Sequence, residues 1–243
     1  MSEFNKNSKT NVVKFALLLS LICGFLITSA ASGLKGLQDE NMLLDKKKNL
    51  LKAAGLAGNG KKKSKKEINE LYETRIRSVI IDSKGKITQK NGKNTLNFYF
   101  YLDENSQVAG YILPVNSRGL WGKIQGYLAF ENDGQTVSGF SVFSHAETPG
   151  LGGEIESQWF RKNFHGKKIL NSQNKFVSVG IAKGKAENLP KDLRDHYVDG
   201  ISGATLTGKY LSEGIKNTLM KYEAVSITFR HNKGKLATDQ TPE

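Results

Sequence analysis

The spacing of apolar and polar positions divides the chain into three stretches of different character. Residues Phe15 to Leu34 (FALLLSLICGFLITSAASGL) carry no charge and are mostly apolar. As a helix rising about 1.5 Å per residue, such a stretch is roughly 30 Å long, the thickness of a bilayer's hydrocarbon core. Lys6, Lys9 and Lys14 precede it, with only Glu3 against them. The positive-inside rule therefore places the N-terminus in the cytoplasm and everything after Leu34 outside. Ser29-Ala30-Ala31 resembles the small-residue site of a cleaved signal peptide. The length of the apolar run and the helical pattern beyond it favour an uncleaved anchor. Leu37, Leu44 and Leu51 recur every seven residues until Gly55 offers a C-cap. No second long apolar run follows, so the chain forms no channel by itself.

A Gly-Lys stretch from Gly58 to Lys66 reads as a solvated linker. Ser64 and Glu67 then make a capping box, opening a helix with Ile68, Leu71, Tyr72 and Ile76 on one face. From Val79 the period shortens to that of strands: Val79–Ile81, Leu96–Leu102, Val108–Leu113, Ile124–Phe130 and Val137–Phe143. Turns are expected at Ser83-Lys84-Gly85, at 103–106 and at Asn132-Asp133-Gly134. A helix is expected over Glu154–Asn163, a strand over Phe176–Ile181, a helix over Thr205–Lys221 and a closing strand over Ala224–Phe229. Strands in a run with helices grouped at the ends predict an α+β fold: an N-terminal transmembrane helix, then an external domain with a mostly antiparallel sheet and packed helices. The division expected is a cytoplasmic 1–14, a span over 15–34, a helix and Lys-rich linker over 35–66, a ligand-binding domain over 67–230 and a polar tail over 231–243.

Composition narrows the chemistry. The 243 residues hold 36 Lys and Arg against 23 Asp and Glu, a net +13. Much of the excess sits between 46 and 66, without the interleaved aromatics of a nucleic-acid surface, and the expected compartment holds no genome. Nucleic acid is not an expected partner. The single cysteine, Cys23, excludes an intramolecular disulfide framework and lies mid-span as a packing residue. His145, His165, His196 and His231 lack ligand spacing, so no metal site is expected.

The most informative run is Asp199-Gly200-Ile201-Ser202-Gly203-Ala204-Thr205-Leu206-Thr207-Gly208. Glycine and hydroxyl residues lead into a helix whose first turn has unpaired N–H groups and a dipole that favours an anion. A phosphate-bearing ligand fits that chemistry. So does an ordinary Ser/Thr-capped helix. Gly203 to Lys209 also reads G-x-x-x-x-G-K, but the position that should hold a magnesium-binding hydroxyl is Tyr210, and no apolar strand precedes it. A nucleotide P-loop is rejected.

The run D-G-I-S-G-A-T resembles the flavinylation motif of bacterial membrane flavoproteins. In that family a dedicated flavin transferase esterifies the final Thr with FMN. The resemblance implies covalent FMN on Thr205, with Asp199, Ser202, Gly203 and Ala204 completing the recognition sequence. Glu147-Thr148-Pro149-Gly150-Leu151-Gly152 is similar to the family's loop against the flavin ring. Gly119-Leu120-Trp121-Gly122 is similar to its G-L-W segment, with Trp121 flanking the site. The order of these segments, and the stretch from Gln38 to Leu56, resemble the C subunit of the sodium-translocating NADH:quinone oxidoreductase. The G subunit of the ferredoxin:NAD oxidoreductase complex is the sister family.

The resemblance implies an electron-transfer subunit in a bacterial inner (cytoplasmic) membrane, single-pass, with its domain on the periplasmic side. Its partners would be the other subunits of the complex and, during maturation, the flavin transferase. The chain would bind neither NADH nor quinone itself. A reading from a different class stays open: an anchored, non-redox domain that binds a phosphorylated ligand reversibly.

Overall fold

The computed structural model describes residues 9–58, 63–82, 84–89, 92 and 95–231. The chain forms two compact units, one through Leu44 and one from Asp45 onward. Helix α1, Lys9–Ala53, makes up the described part of the first and contributes its last turns to the second. In the first unit the helix is long and apolar enough to cross a membrane, and its Leu, Ile and Phe side chains are exposed. Ser20 and Thr28 turn their hydroxyls back onto the carbonyls of Ala16 and Gly24, at 2.8 and 2.7 Å. That satisfies these two hydroxyls on a mostly apolar surface.

The second unit opens with the end of α1. Gly55 has φ +73°. Its N–H donates to Lys52 O while Leu56 N–H reaches Leu51 O, the paired bonds of a Schellman cap. Helix α2, Lys65–Arg75, begins with the expected box: Ser64 Oγ accepts from Glu67 N–H, and Glu67 accepts from Ser64 N–H. A five-stranded antiparallel sheet follows, β1 (Ile76–Ile81), β2 (Leu96–Leu102), β3 (Val108–Arg118), β4 (Lys123–Glu131) and β5 (Val137–Ser144), each strand beside the next in chain order. The later elements are α3 (Gln158–Lys162), a short parallel pair β6 (Gly180–Ile181) and β7 (Tyr197–Val198) with α4 (Lys191–Arg194) between them, α5 (Thr205–Lys221) and α6 (Glu223–His231). Leu211, Ile215 and Leu219 of α5 are fully buried in the core that also holds Phe98, Tyr111, Phe130 and Phe229. Tyr111 stacks on Phe98 and Phe130 and donates its hydroxyl to Gly134 O at 3.2 Å. Burial pushes that hydroxyl's pKa up, so it remains a neutral donor. The α+β class and antiparallel sheet agree with the pattern in the sequence.

Several boundaries differ, each for a physical reason. Ala224–Phe229 is part of helix α6, not a closing strand. Val225, Ser226 and Phe229 are buried at helical spacing, and Phe229 packs on Phe100 and Tyr111, so tertiary packing overrides its β-branched and aromatic content. Ile76 belongs to β1, opposite Tyr101, and not to the face of α2. The helix expected over Glu154–Asn163 is divided into a 3-10 turn, Gly152–Glu156, and α3. Ser157 separates them, its Oγ accepting from Phe160 N–H as a fresh N-cap. Of Phe176–Ile181 only Gly180–Ile181 forms a strand, Phe176 making an isolated antiparallel bridge to Leu170, because Ser178 takes a positive φ and bends the chain between them. Strand β3 continues to Arg118 through Pro114, which is tolerated because pairing with β2 has ended at Ile112. Lys61, Lys62, Ser83 and the tail beyond His231 lie outside the described residues.

The end of α1 is seated on β5 by close backbone approach. Ser141 Oγ donates to Asn49 O at 2.7 Å, and a Cβ on Gly139 would overlap Ala53 O. Gly139→Ala is expected to cost about 1–3 kcal/mol by overpacking, read from the urea midpoint. Gly184→Ala, where a Cβ meets nothing within 4 Å, is the matched control and should leave the midpoint unchanged.

Candidate flavin site

Helix α5 is held at a fixed height on the sheet by contact with β3. Gly214 lies so close to Ser117 that a Cβ there would overlap its side chain. Ser117 Oγ donates to Tyr210 O at 2.7 Å. Arg118 lays its guanidinium over the Tyr210 ring at 5.0 Å. This brings the first turn of α5 beside the β3–β4 loop, Gly119–Gly122, which Gly119 N–H closes onto Gly122 O at 2.6 Å.

Glu147 joins these pieces. The residue is only 4 % exposed. Its Oε1 accepts from Trp121 N–H at 3.1 Å, and its Oε2 accepts from Thr207 Oγ–H at 2.5 Å. Two glycines make room for it. A Cβ on Gly119 would overlap Oε1, and a Cβ on Gly152 would stand 2.6 Å from Oε2 and 2.7 Å from Thr207 Oγ1. One buried carboxylate thus ties the G-L-W loop, its own loop and the α5 N-terminus together. Buried charge persists only when its lone pairs find donors, and both oxygens have one.

The loop around Glu147 is itself rigid. Glu147 N–H donates to His145 Nδ1 at 3.1 Å. That nitrogen must therefore keep its lone pair, which puts the proton on Nε2, 3.5 Å from Glu156. Pro149 and Gly150, the latter at φ +73°, form the centre of a turn closed by Leu151 N–H to Thr148 O at 3.2 Å. Pro second and positive-φ Gly third is the order a type II turn requires. Thr148 O also accepts from Gly153 N–H at 2.9 Å.

The residues singled out in the sequence take distinct places. Thr148, Pro149, Gly150 and Leu151 are exposed on the turn, while Gly152 is buried beneath it. Gly203, at φ +73°, abuts Leu151: a Cβ there would come within 2.8 Å of the leucine's Cδ2. Ala204 is buried at the N-cap and offers no side-chain cap, so the first-turn amides of α5 are left without one. Ser202 and Thr205 are exposed. Thr207, two residues on, is 1 % exposed and engaged with Glu147. Leu120, Trp121, Leu151 and Leu206 add exposed apolar surface around the same place. Asp199 Oδ1 accepts from Ala186 N–H at 2.7 Å, tying the start of the run to the segment between β6 and α4. The part played by Thr207 as the partner of Glu147 was not legible, since only the fold brings together residues 60 positions apart.

The arrangement suits FMN. An exposed hydroxyl stands on the first turn of a helix with uncapped amides, where a phosphate is favoured, beside apolar surface suited to a planar ring. Glu147→Ala should destabilise the domain by about 1–3 kcal/mol, because the buried Thr207 hydroxyl loses its acceptor, whereas the part-buried Trp121 N–H can turn to water. Glu147→Gln, which keeps one acceptor oxygen, should cost clearly less. Chemical denaturation of both variants measures the difference.

Comparison with known proteins agrees with this geometry. The family model described as "FMN-binding domain" matches residues 119–220, which include the G-L-W loop, the Glu147 loop and most of α5. The chain is 33 % identical to the C subunit of the Na(+)-translocating NADH-quinone reductase of Haemophilus ducreyi, over 89 % of this chain and 91 % of that one. It is 32 % identical to the same subunit of Vibrio alginolyticus, over 88 % and 90 %. Among solved structures, the corresponding subunit from Parabacteroides distasonis superposes with a TM-score of 0.68 at 27 % identity, covering 79 % of this chain and 96 % of that one. The chain belongs to the C-subunit family of the Na(+)-translocating NADH-quinone reductase.

Proposed function

We propose that this chain is the membrane-anchored, FMN-carrying electron-transfer subunit of a sodium-translocating NADH:quinone oxidoreductase, with FMN esterified to Thr205 by a flavin transferase. The observation that carries the assignment is the contrast between two hydroxyls on one helical turn. Thr205 is exposed at the first position of α5, whereas Thr207 is buried and committed to Glu147.

In this reading the residues divide the work. Thr205 Oγ provides the ester oxygen, and the phosphate keeps one negative charge beside the α5 amides, which stabilise it. Leu151, on the Pro149-Gly150 turn, and Trp121 offer apolar contact to the ring, while Ser202, Gly203 and Ala204 shape the chain that the transferase must reach. Asp199 holds that chain in place through Ala186. Glu147 is a positioning residue: its carboxylate keeps the three segments in register. The bound flavin supplies the redox chemistry, and the chain binds neither NADH nor quinone. The apolar run of α1 anchors the protein, with residues 15–34 as the span and the basic N-terminal flank on the cytoplasmic side, which puts the domain on the outer face.

Co-expression with the transferase, followed by denaturing electrophoresis, tests the assignment. The expected result is a band that fluoresces as flavin and is dark in Thr205→Ala, with Thr207→Ala still fluorescent. A dark parent band, with flavin recovered in the supernatant after precipitation, would instead establish reversible binding and overturn the covalent reading.

A further inference from the structure

A second cavity, of about 360 Å³, lies within the domain where the end of α1 meets β5 and α3. It shares no lining residue with the G-L-W loop, the Glu147 turn or the α5 N-terminus. Its charge is one-sided. Lys48, Lys52, Lys63, Arg161, Lys162 and His165 all line it, and among the described residues no carboxylate does.

The bland explanation is that these cations balance the negative ends of helices. For α1 that need is already met, because the carbonyls of Leu50, Leu51 and Lys52 accept from Ala54, Leu56 and Gly55 in the Schellman cap. Nor are the cations held by carboxylate partners. Among the described residues none of Lys48, Lys52, Arg161 and Lys162 forms a salt bridge to a carboxylate. Lys52 is half-buried, and burial, followed by repulsion from Lys48 and Arg161, lowers its pKa; the attraction of Asp45 and Glu156 is the weaker influence. Arg161 is similarly desolvated and directs its Nε to Glu156 O at 3.0 Å, leaving the rest of its guanidinium fork for another acceptor. His165 donates Nδ1–H to Ser138 O at 3.0 Å, which holds its ring against the cavity. Lys52 and Arg161 also border a neighbouring pocket with Asp45, Glu154 and Glu156. On the concave surface itself the cations face no carboxylate among the described residues, and they repel one another unless an anion enters.

We propose that this cavity is a binding site for a phosphate-type oxyanion, either free phosphate or the phosphate of a lipid headgroup. Lys52 and Arg161 form its partly desolvated floor, and Lys48, Lys63 and Lys162 form its rim. The guanidinium presents a fork that matches two phosphate oxygens, and the ammonium groups supply point charges.

The test is calorimetric titration of the detergent-solubilised, flavin-loaded full chain with sodium phosphate, against sodium chloride at equal ionic strength. Saturable heat is expected with phosphate and not with chloride, together with a rise in Tm of about 3–6 °C at ten times the dissociation constant. Lys52→Gln combined with Arg161→Gln should weaken binding at least tenfold while in-gel flavin fluorescence is unchanged. Should that pair unfold, Lys48→Gln with Lys162→Gln at the rim should weaken it in the same direction. A parallel titration uses dihexanoyl phosphatidylglycerol below its micelle-forming concentration. Tighter binding of this probe identifies a lipid headgroup as the source, and tighter binding of phosphate identifies the free ion. No saturable binding of either probe, or equal binding by the parent and the folded variants, would overturn the proposal.

Discussion

The carboxylate of Glu147 is the constraint on which the rest of the site depends. A carboxylate this deeply buried is tolerated only with donors on both oxygens, and the donors come from a loop and a helix that are remote in sequence. Trp121 N–H belongs to the β3–β4 connection and Thr207 to α5, so neither can shift without leaving a buried acceptor unpaired. Gly119 and Gly152 are small because the carboxylate occupies the space their side chains would take. Glycine at these two positions is thus a packing requirement imposed by one acidic side chain, in addition to any need to approach a ligand.

The same contact divides the hydroxyls at the start of α5. By holding Thr207 inward, Glu147 leaves Thr205 as the exposed member of the pair, and Gly203 at positive φ lets the chain turn tightly enough to begin the helix there. The scaffold below is equally direct. Gly214 against Ser117, and the Ser117 hydroxyl on Tyr210 O, fix the height of α5 on β3. A change in the core would therefore be felt at the site through α5, without touching any residue that faces a ligand.

Much of this was legible in the sequence where local rules and global packing agree. The aromatic run Leu96–Leu102 is a strand over those same residues, the Ser64–Glu67 box opens α2, Gly55 caps α1, and α5 spans Thr205–Lys221. Legibility failed where a distant contact decides. Ala224–Phe229 has strand-like composition, yet the surface offered by Phe100 and Tyr111 accepts it as a helix. Ser157 breaks a helix that hydrophobic spacing alone would continue. At the site, the motifs located the segments, but a glutamate among Gly and Pro gives no local sign of burial, and its partner Thr207 lies 60 residues away.

If Glu147 couples the three segments into one unit, backbone hydrogen exchange on the full chain will show it. In Glu147→Gln, exchange should rise together in 119–122, 147–153 and 203–208, while the protected core of β3 and β4 keeps its rates. A rise confined to the loop that carries residue 147 would contradict the account, since the three segments would then be ordered independently of the carboxylate.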